Sequence, residues 1–179
     1  MPDQLTSERY TEEKSALVAD FFFGNEEYET EIETWIKGEE VRDALERQAH
    51  VLLYRVDGEL AGYGCVGEMR RSWPPQDRRA DKIDVSVIPA LGVLPAFQGK
   101  PLGVDYTERY SYQIIQDLIA IAAEYGHKIL VLYVHPENAK AIAFYERLGF
   151  VDEGPKKDKY RIMSMTFPDE VLGPPAPTS

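Results

Sequence analysis

The segment Gln98-Gly99-Lys100-Pro101-Leu102-Gly103 is a glycine-rich turn just ahead of a helical stretch. A turn of this kind presents backbone N–H groups and the positive end of a helix dipole, a combination that suits a pyrophosphate. No Gly-Lys-Ser/Thr follows, so it is not a P-loop, and the spacing is not Gly-x-Gly-x-x-Gly. Taken alone it reads equally well as a plain strand-to-helix turn. The single cysteine, Cys65, sits in an alternating strand and reads as a buried small side chain, with an acyl-cysteine as the sharper, disfavoured alternative. His135 reads as orienting a turn, and His50 and His127 have no partner in the sequence. No His/Cys/Asp cluster has metal-ligand spacing, and no metal is expected.

The second segment decides between the readings of the first. Val134-His135-Pro136-Glu137-Asn138-Ala139 runs into Phe144-Tyr145-Glu146-Arg147-Leu148-Gly149-Phe150. This resembles the fourth-helix signature of the GNAT acetyltransferases: an Asn after the fifth strand, an Ala, then Phe-Tyr-Glu-x-x-Gly-Phe. Residues 98–103 then resemble that family's Gln/Arg-x-x-Gly-x-Gly/Ala motif, and the likeness covers about residues 50–167. The resemblance implies a mixed α/β fold, a central mixed sheet with a splayed strand pair flanked by helices, and acetyl-CoA in the gap. It implies that the backbone of Val93 and Leu94 bonds the pantetheine and polarises the thioester. Gln98, Gly99, Lys100, Leu102 and Gly103 would offer N–H groups to the pyrophosphate. Asn138 would contact the cofactor, and Phe144 would pack along it. Tyr145 would protonate the leaving thiolate, a role for which a phenol of pKa about 10 is suited against a thiol of about 8.5.

Two departures from the family pattern stand out. Pro101 replaces the usual Gly, which removes one N–H donor and fixes φ. Val104 to Arg109 lengthens the link to the helix, as in the acetyltransferases of bacterial toxin–antitoxin pairs. Val134-His135, and Phe23-Gly24 with Trp35-Ile36, share that weaker resemblance. Those toxins acetylate aminoacyl-tRNA and tend to be basic, whereas this chain carries a formal net charge of -11. Residues 1–49 hold fourteen Asp and Glu against five Lys and Arg, a balance of -9. Such a surface repels nucleic acid and suits an amine, or is simply a solvated face. Arg70, Arg71, Arg78, Arg79 and Lys82 run the other way within one loop.

The expected reaction is direct acetyl transfer, in a ternary complex, to a primary amine of a small molecule or peptide. The alternatives are a toxin-like enzyme acting on aminoacyl-tRNA and a non-catalytic acyl-CoA-binding module. An amine must lose a proton before it attacks, and Glu68 and Asp84 at strand ends are the candidate bases. The resemblance puts the loop between the first two helices on the acceptor pocket, so Phe22, Asn25 and Tyr28 are candidate substrate contacts.

The positioning elements follow from periodicity. Helices are expected over about 7–20 and 28–48, the second split at Gly38. Strands at His50 to Val56 and Glu59 to Glu68 flank the Asp57-Gly58 turn. Ile83 to Leu94 is a strand that Pro89 and Gly92 should bulge or splay away from Ile129 to Val134. Helices at about 106–125 and 136–148 surround that apolar strand, and a hairpin over 150–153 and 160–167 closes a six- or seven-stranded sheet. Residues 1–172 are expected to form a single domain and 173–179 a flexible Pro-rich tail.

The hydrophobic content of 44% is enough for a core, and no apolar run reaches the roughly 20 residues of a membrane span. One cysteine and no signal-like N-terminus make the cytoplasm the expected compartment. No membrane or nucleic-acid partner is expected, and a homodimer stays open.

Overall fold

The computed structural model describes residues 4–99, 109–157 and 159–172. Seven strands hydrogen-bond in the order β1-β2-β3-β4-β5-β7-β6. They are β1 (Leu5–Arg9), β2 (His50–Val56), β3 (Glu59–Ser72), β4 (Lys82–Val93), β5 (Ile129–Val134), β6 (Val151–Lys156) and β7 (Tyr160–Thr166). The helices are α1 (Ser15–Val18), α2 (Glu27–Lys37), α3 (Glu39–Glu46), α4 (Arg109–Glu124), α5 (Ala139–Arg147) and α6 (Asp169–Leu172). The mixed α/β class and the seven-stranded sheet agree with the sequence reading. None of these helices is long and apolar enough to cross a membrane.

The N-terminal reading needs correction. The expected helix over 7–20 begins as strand β1, followed by one 3₁₀ turn (Glu12–Lys14) and the single turn α1. Leu5-Thr6-Ser7-Glu8-Arg9 has one apolar residue and no alternation, so its strand character comes from pairing along β2, from Leu5↔Val56 to Arg9↔Leu52. The edge is held by charge as well: Arg55 Nε donates to Glu8 Oε1 at 2.8 Å and Lys14 Nζ to Glu8 Oε2 at 3.2 Å. The Arg55 bond, then the Lys14 bond, keep the Glu8 carboxyl below its ordinary value of 4.5. A depressed folded pKa contributes stability above the unfolded value, lost as pH falls through the folded one. Glu8→Gln should therefore cost up to about 1 kcal/mol at pH 7, because the pair is partly exposed. The difference from wild type should vanish in urea titrations at a pH well below 4.5.

The chain divides into two compact units, Met1–Gly67 with Ala90–Leu118, and Glu68–Pro89 with Ile119–Ser179. In the first, α2 starts with a capping box in which Glu26 and Glu29 satisfy each other's backbone N–H groups. Gly38 adopts extended backbone and separates α2 from α3, as the sequence suggests. Asp57 and Gly58 both take positive φ (50° and 89°), the turn that matches the twist of the β2–β3 hairpin. Tyr63 fastens α2 to the sheet: its hydroxyl donates to Ile32 O at 2.5 Å, and its ring stacks on Trp35 at 5.8 Å. Phe21 and Phe23 are buried in the same core.

In the second unit, β5 pairs with β7 antiparallel from Ile129↔Thr166 to Val134↔Arg161, and β6 continues the sheet along β7. Val85, Val131 and Ile162 form its core on one face of the sheet. On the other face Ser86 Oγ donates to Ala122 O of α4 at 2.9 Å. The closing hairpin is longer than its sequence suggests, because Gly154 and Pro155, read as turn residues, lie inside β6.

Candidate active site

β4 and β5 are the parallel pair, and their ladder is short: Ser86↔Leu130, Val87↔Val131 and Ile88↔Leu132. It stops at Pro89, which has no N–H to give. No residue from Pro89 to Val93 is paired with β5, although β4 runs on to Val93. The ladder thus ends at Ile88↔Leu132, two residues before β5 itself ends at Val134.

The far end of β4 is held from the β3 side. Leu94 N–H donates to Ala61 O at 2.7 Å. Strand backbones alternate their direction, so the Val93 N–H and C=O face away from β3. The Val93 carbonyl accepts a bond of 2.7 Å from Gln98 Nε2. Of the two backbone groups expected to meet the pantetheine, the Leu94 amide is thus already used and the Val93 amide faces the other way. A 3₁₀ turn (Pro95–Phe97) leads to Gln98 and to Gly99, whose φ of 68° favours glycine. Lys100, Pro101, Leu102 and Gly103, expected to complete the phosphate turn, lie outside the described residues, as do 173–179. Phe97 packs edge-on against Tyr110 of α4 at 5.9 Å, which ties together the two sides of that turn.

In the second unit, β5 leads into α5. Asn138 is the N-cap, its Oδ1 accepting from Ala141 N at 3.2 Å. His135 serves the same turn, its Nδ1 accepting from Glu137 N at 3.2 Å. Phe144 and Tyr145 follow on α5. Tyr145 is 9% exposed, with its ring edge-on to Phe144 at 5.5 Å and to Phe150 at 5.7 Å. Burial pushes its phenol above the ordinary value of 10.0, so it carries its proton at neutral pH.

The model of the acetyltransferase (GNAT) family matches residues 12–150. The chain belongs to the GNAT acetyltransferase family. It is 32% identical over 114 residues to an L-methionine sulfoximine/L-methionine sulfone acetyltransferase of Pseudomonas paraeruginosa (strain DSM 24068 / PA7). That match covers 63% of this chain and 57% of the relative, so the chain spans little more than half the relative's length. Its fold is that of a Tyr-to-Phe mutant of KacT (TM-score 0.65, 17% identity, covering 91% of this chain and 95% of that one). It is likewise that of the AtaT toxin mutant bound to the C-terminus of its antitoxin AtaR and acetyl-CoA (0.63, 16%, 89% and 92%). The PaiA N-acetyltransferase of Thermoplasma acidophilum, solved with coenzyme A, shares it too (0.64, 15%, 92% and 99%).

The remaining predicted residues of this GNAT chain fall in several places. Glu68 Oε2 lies 2.6 Å from His127 Nε2, a pairing that the sequence did not signal across 59 residues. Asp84 makes a loose, exposed pair with Arg70 at 3.5 Å. Both carboxylates lie toward the start of the β4–β5 ladder, the opposite end from Pro89 and Val134. Cys65 is fully buried, and desolvation pushes its thiol up to about 12, which disfavours an acyl-cysteine. In the first unit Phe22 stands 53% exposed between the buried Phe21 and Phe23. Asn25 is exposed and Tyr28 half-buried.

Sequence reasoning missed two features. Gly62 and Gly92 let β3 and β4 approach closely, since a Cβ on Gly62 would overlap the Gly92 carbonyl. Arg71 and Lys156 meet on the ring of Tyr133, with Arg71 Cζ 5.8 Å and Lys156 Nζ 4.0 Å from its centroid. Arg71 was seen only as one charge of a basic loop. Nothing in the local pattern joins residues so distant in the chain.

Proposed function

We propose that this chain transfers an acetyl group from acetyl-CoA to the primary amine of a small molecule by direct attack. The observation that carries the reading is the parallel ladder that ends at Ile88↔Leu132, while farther along β4 the Val93 N–H faces away from β3. The Val93 N–H is available for the pantetheine, and Gln98 and Gly99 open the phosphate turn. Asn138 and Phe144 are the cofactor contacts on α5. The amine nitrogen attacks the thioester carbonyl, the C–S bond breaks, and the Tyr145 hydroxyl gives its proton to the departing thiolate. The proton lost by the amine passes to water; Glu68 and Asp84, the carboxylates expected as bases, stand toward the other end of the ladder and could receive it only through a chain of waters. Phe22, Asn25 and Tyr28 are the proposed acceptor contacts in the first unit. The likeness to an acetyltransferase of methionine sulfoximine and sulfone supports an amino-acid-like acceptor. A cytoplasmic location, in a single-domain protein, goes with this reading.

The second reading, a toxin-like enzyme acting on aminoacyl-tRNA, draws on the shared fold of AtaT and KacT. The net charge of -11 opposes it. The test is acetyl transfer to amino acids, polyamines and peptides beside charged tRNA at two salt concentrations. Transfer to a small amine should change little with salt. Transfer to tRNA alone, falling with a log–log slope of several as roughly expected when several phosphates are neutralised, would reverse the choice. Absence of any calorimetric heat with CoA would remove the enzyme reading altogether.

A further inference from the structure

The second unit contains a pair of cations that the proposed chemistry does not use. Arg71 lies at the end of β3 and Lys156 at the end of β6, and both face Tyr133 of β5. Arg71 Nη1 donates to the Tyr133 hydroxyl at 2.7 Å, and its guanidinium also lies 5.9 Å from the Trp73 ring centre. Its Nε is buried with no hydrogen-bond partner. A buried donor left unmade costs free energy, so a native site that keeps one needs an explanation.

Among the described residues no carboxylate pairs with either cation. Three described acidic side chains of β4 and β6 are engaged elsewhere. Glu153 accepts from Ser164 Oγ at 2.7 Å, Asp152 pairs with Arg161 at 2.9 Å, and Asp84 pairs with Arg70. Two like charges against one ring repel each other. Burial first, then Arg71 and Lys157, hold the Lys156 ammonium below its ordinary value of 10.5. The Tyr133 hydroxyl donates only to a thioether, Met69 Sδ at 3.5 Å, a weak acceptor that an oxyanion would outcompete. The arrangement is also braced. Gln76 Nε2 donates to Glu153 O at 3.2 Å and Pro155 O at 2.9 Å, which ties the β3–β4 loop to β6 beside Lys156.

We propose that Arg71, Lys156 and Tyr133 form an anion subsite that binds the carboxylate of the acceptor. The chemistry fits: a guanidinium with a buried unused N–H, an ammonium and a phenol converge, and Trp73 and Met69 line the same patch with apolar surface. The acceptor is then an α-amino acid or a close analogue with an apolar or weakly polar side chain, not a polyamine. The inference rests on the small-amine reading above and narrows it.

The test uses L-methionine sulfone and its carboxamide as paired probes on the full chain. Arg71→Met should raise KM for the acid by about 10- to 100-fold, the worth of a hydrogen bond to a charged group. Lys156→Met should act in the same direction, and Arg71→Lys should recover part of the loss. Neither the KM for acetyl-CoA nor the KM for the carboxamide should move. Equal losses on acid and amide would overturn the subsite, as would a rise confined to acetyl-CoA, which would assign the cations to a CoA phosphate. Transfer only to amines without a carboxylate would overturn it too, while leaving the acetyltransferase reading intact. Calorimetry separates the opposite case. If no amine is acetylated, L-methionine sulfone binding to wild type but not to Arg71→Met still supports the subsite, and no binding to wild type overturns it.

Discussion

Tyr145→Phe is expected to lower kcat by about 10²- to 10⁴-fold, the range of a lost general acid. CoA affinity and melting temperature should stay near wild type. The packing argument separates the two effects. The Tyr145 ring is gripped edge-on by Phe144 and Phe150, and the variant keeps that ring and deletes one oxygen. Burial raises the phenol pKa, so the acid form persists as the acceptor amine begins to lose its proton. The wild-type rate should therefore climb with pH as the amine loses its proton, and titration of Tyr145 should add no falling limb up to about pH 10. A rate-limiting thiolate departure also predicts that a thioester with a more acidic thiol rescues the variant in part. Unchanged kcat in Tyr145→Phe removes the residue from the role. A fall in kcat matched by a similar loss of CoA binding makes it a packing residue instead.

Much of the fold, and the strand and helix positions of the candidate site residues, were legible in the sequence, and the boundary has a physical basis. β5 was read to the residue because it is apolar throughout, as a strand covered on both faces must be. The end of the ladder was legible because Pro89 carries its own reason for ending it. The Gly38 break and the Asp57-Gly58 turn are likewise local backbone chemistry. β1 was not legible, because it is a polar edge strand whose identity lies in the partner along which it pairs. The Glu68–His127 pair, the Arg71–Tyr133–Lys156 cluster and the Gly62–Gly92 approach all join residues far apart in the chain. Composition can count such residues, and only the folded sheet brings them together.

Gly62→Ala is expected to be the most damaging small substitution in the first unit. Its new Cβ would overlap the Gly92 carbonyl and lie 3.1 Å from Val93 Cα. Both obstacles are backbone, so no rotamer change relieves the clash. Gly64→Ala is the comparison two residues along β3, where the Cβ meets Leu118 Cδ1 at 2.6 Å, a side-chain atom instead of backbone. Overpacking usually costs about 1–3 kcal/mol, and a backbone obstacle belongs at or above the top of that range. Gly62→Ala should then lower the melting temperature by about 6–12 °C, with Gly64→Ala well short of it. The functional consequence is sharper than the stability one. Moving β4 at Gly92 moves Val93, whose amide is proposed to meet the pantetheine and whose carbonyl holds Gln98, at the start of the proposed phosphate turn. A loss of about 1.4 kcal/mol of cofactor binding is tenfold in Kd, so calorimetry with CoA should record at least about that change below the new melting range. Wild-type melting in Gly62→Ala would mean that β3 and β4 do not approach as closely as described. Lower melting with unchanged CoA affinity would detach Val93 from the cofactor.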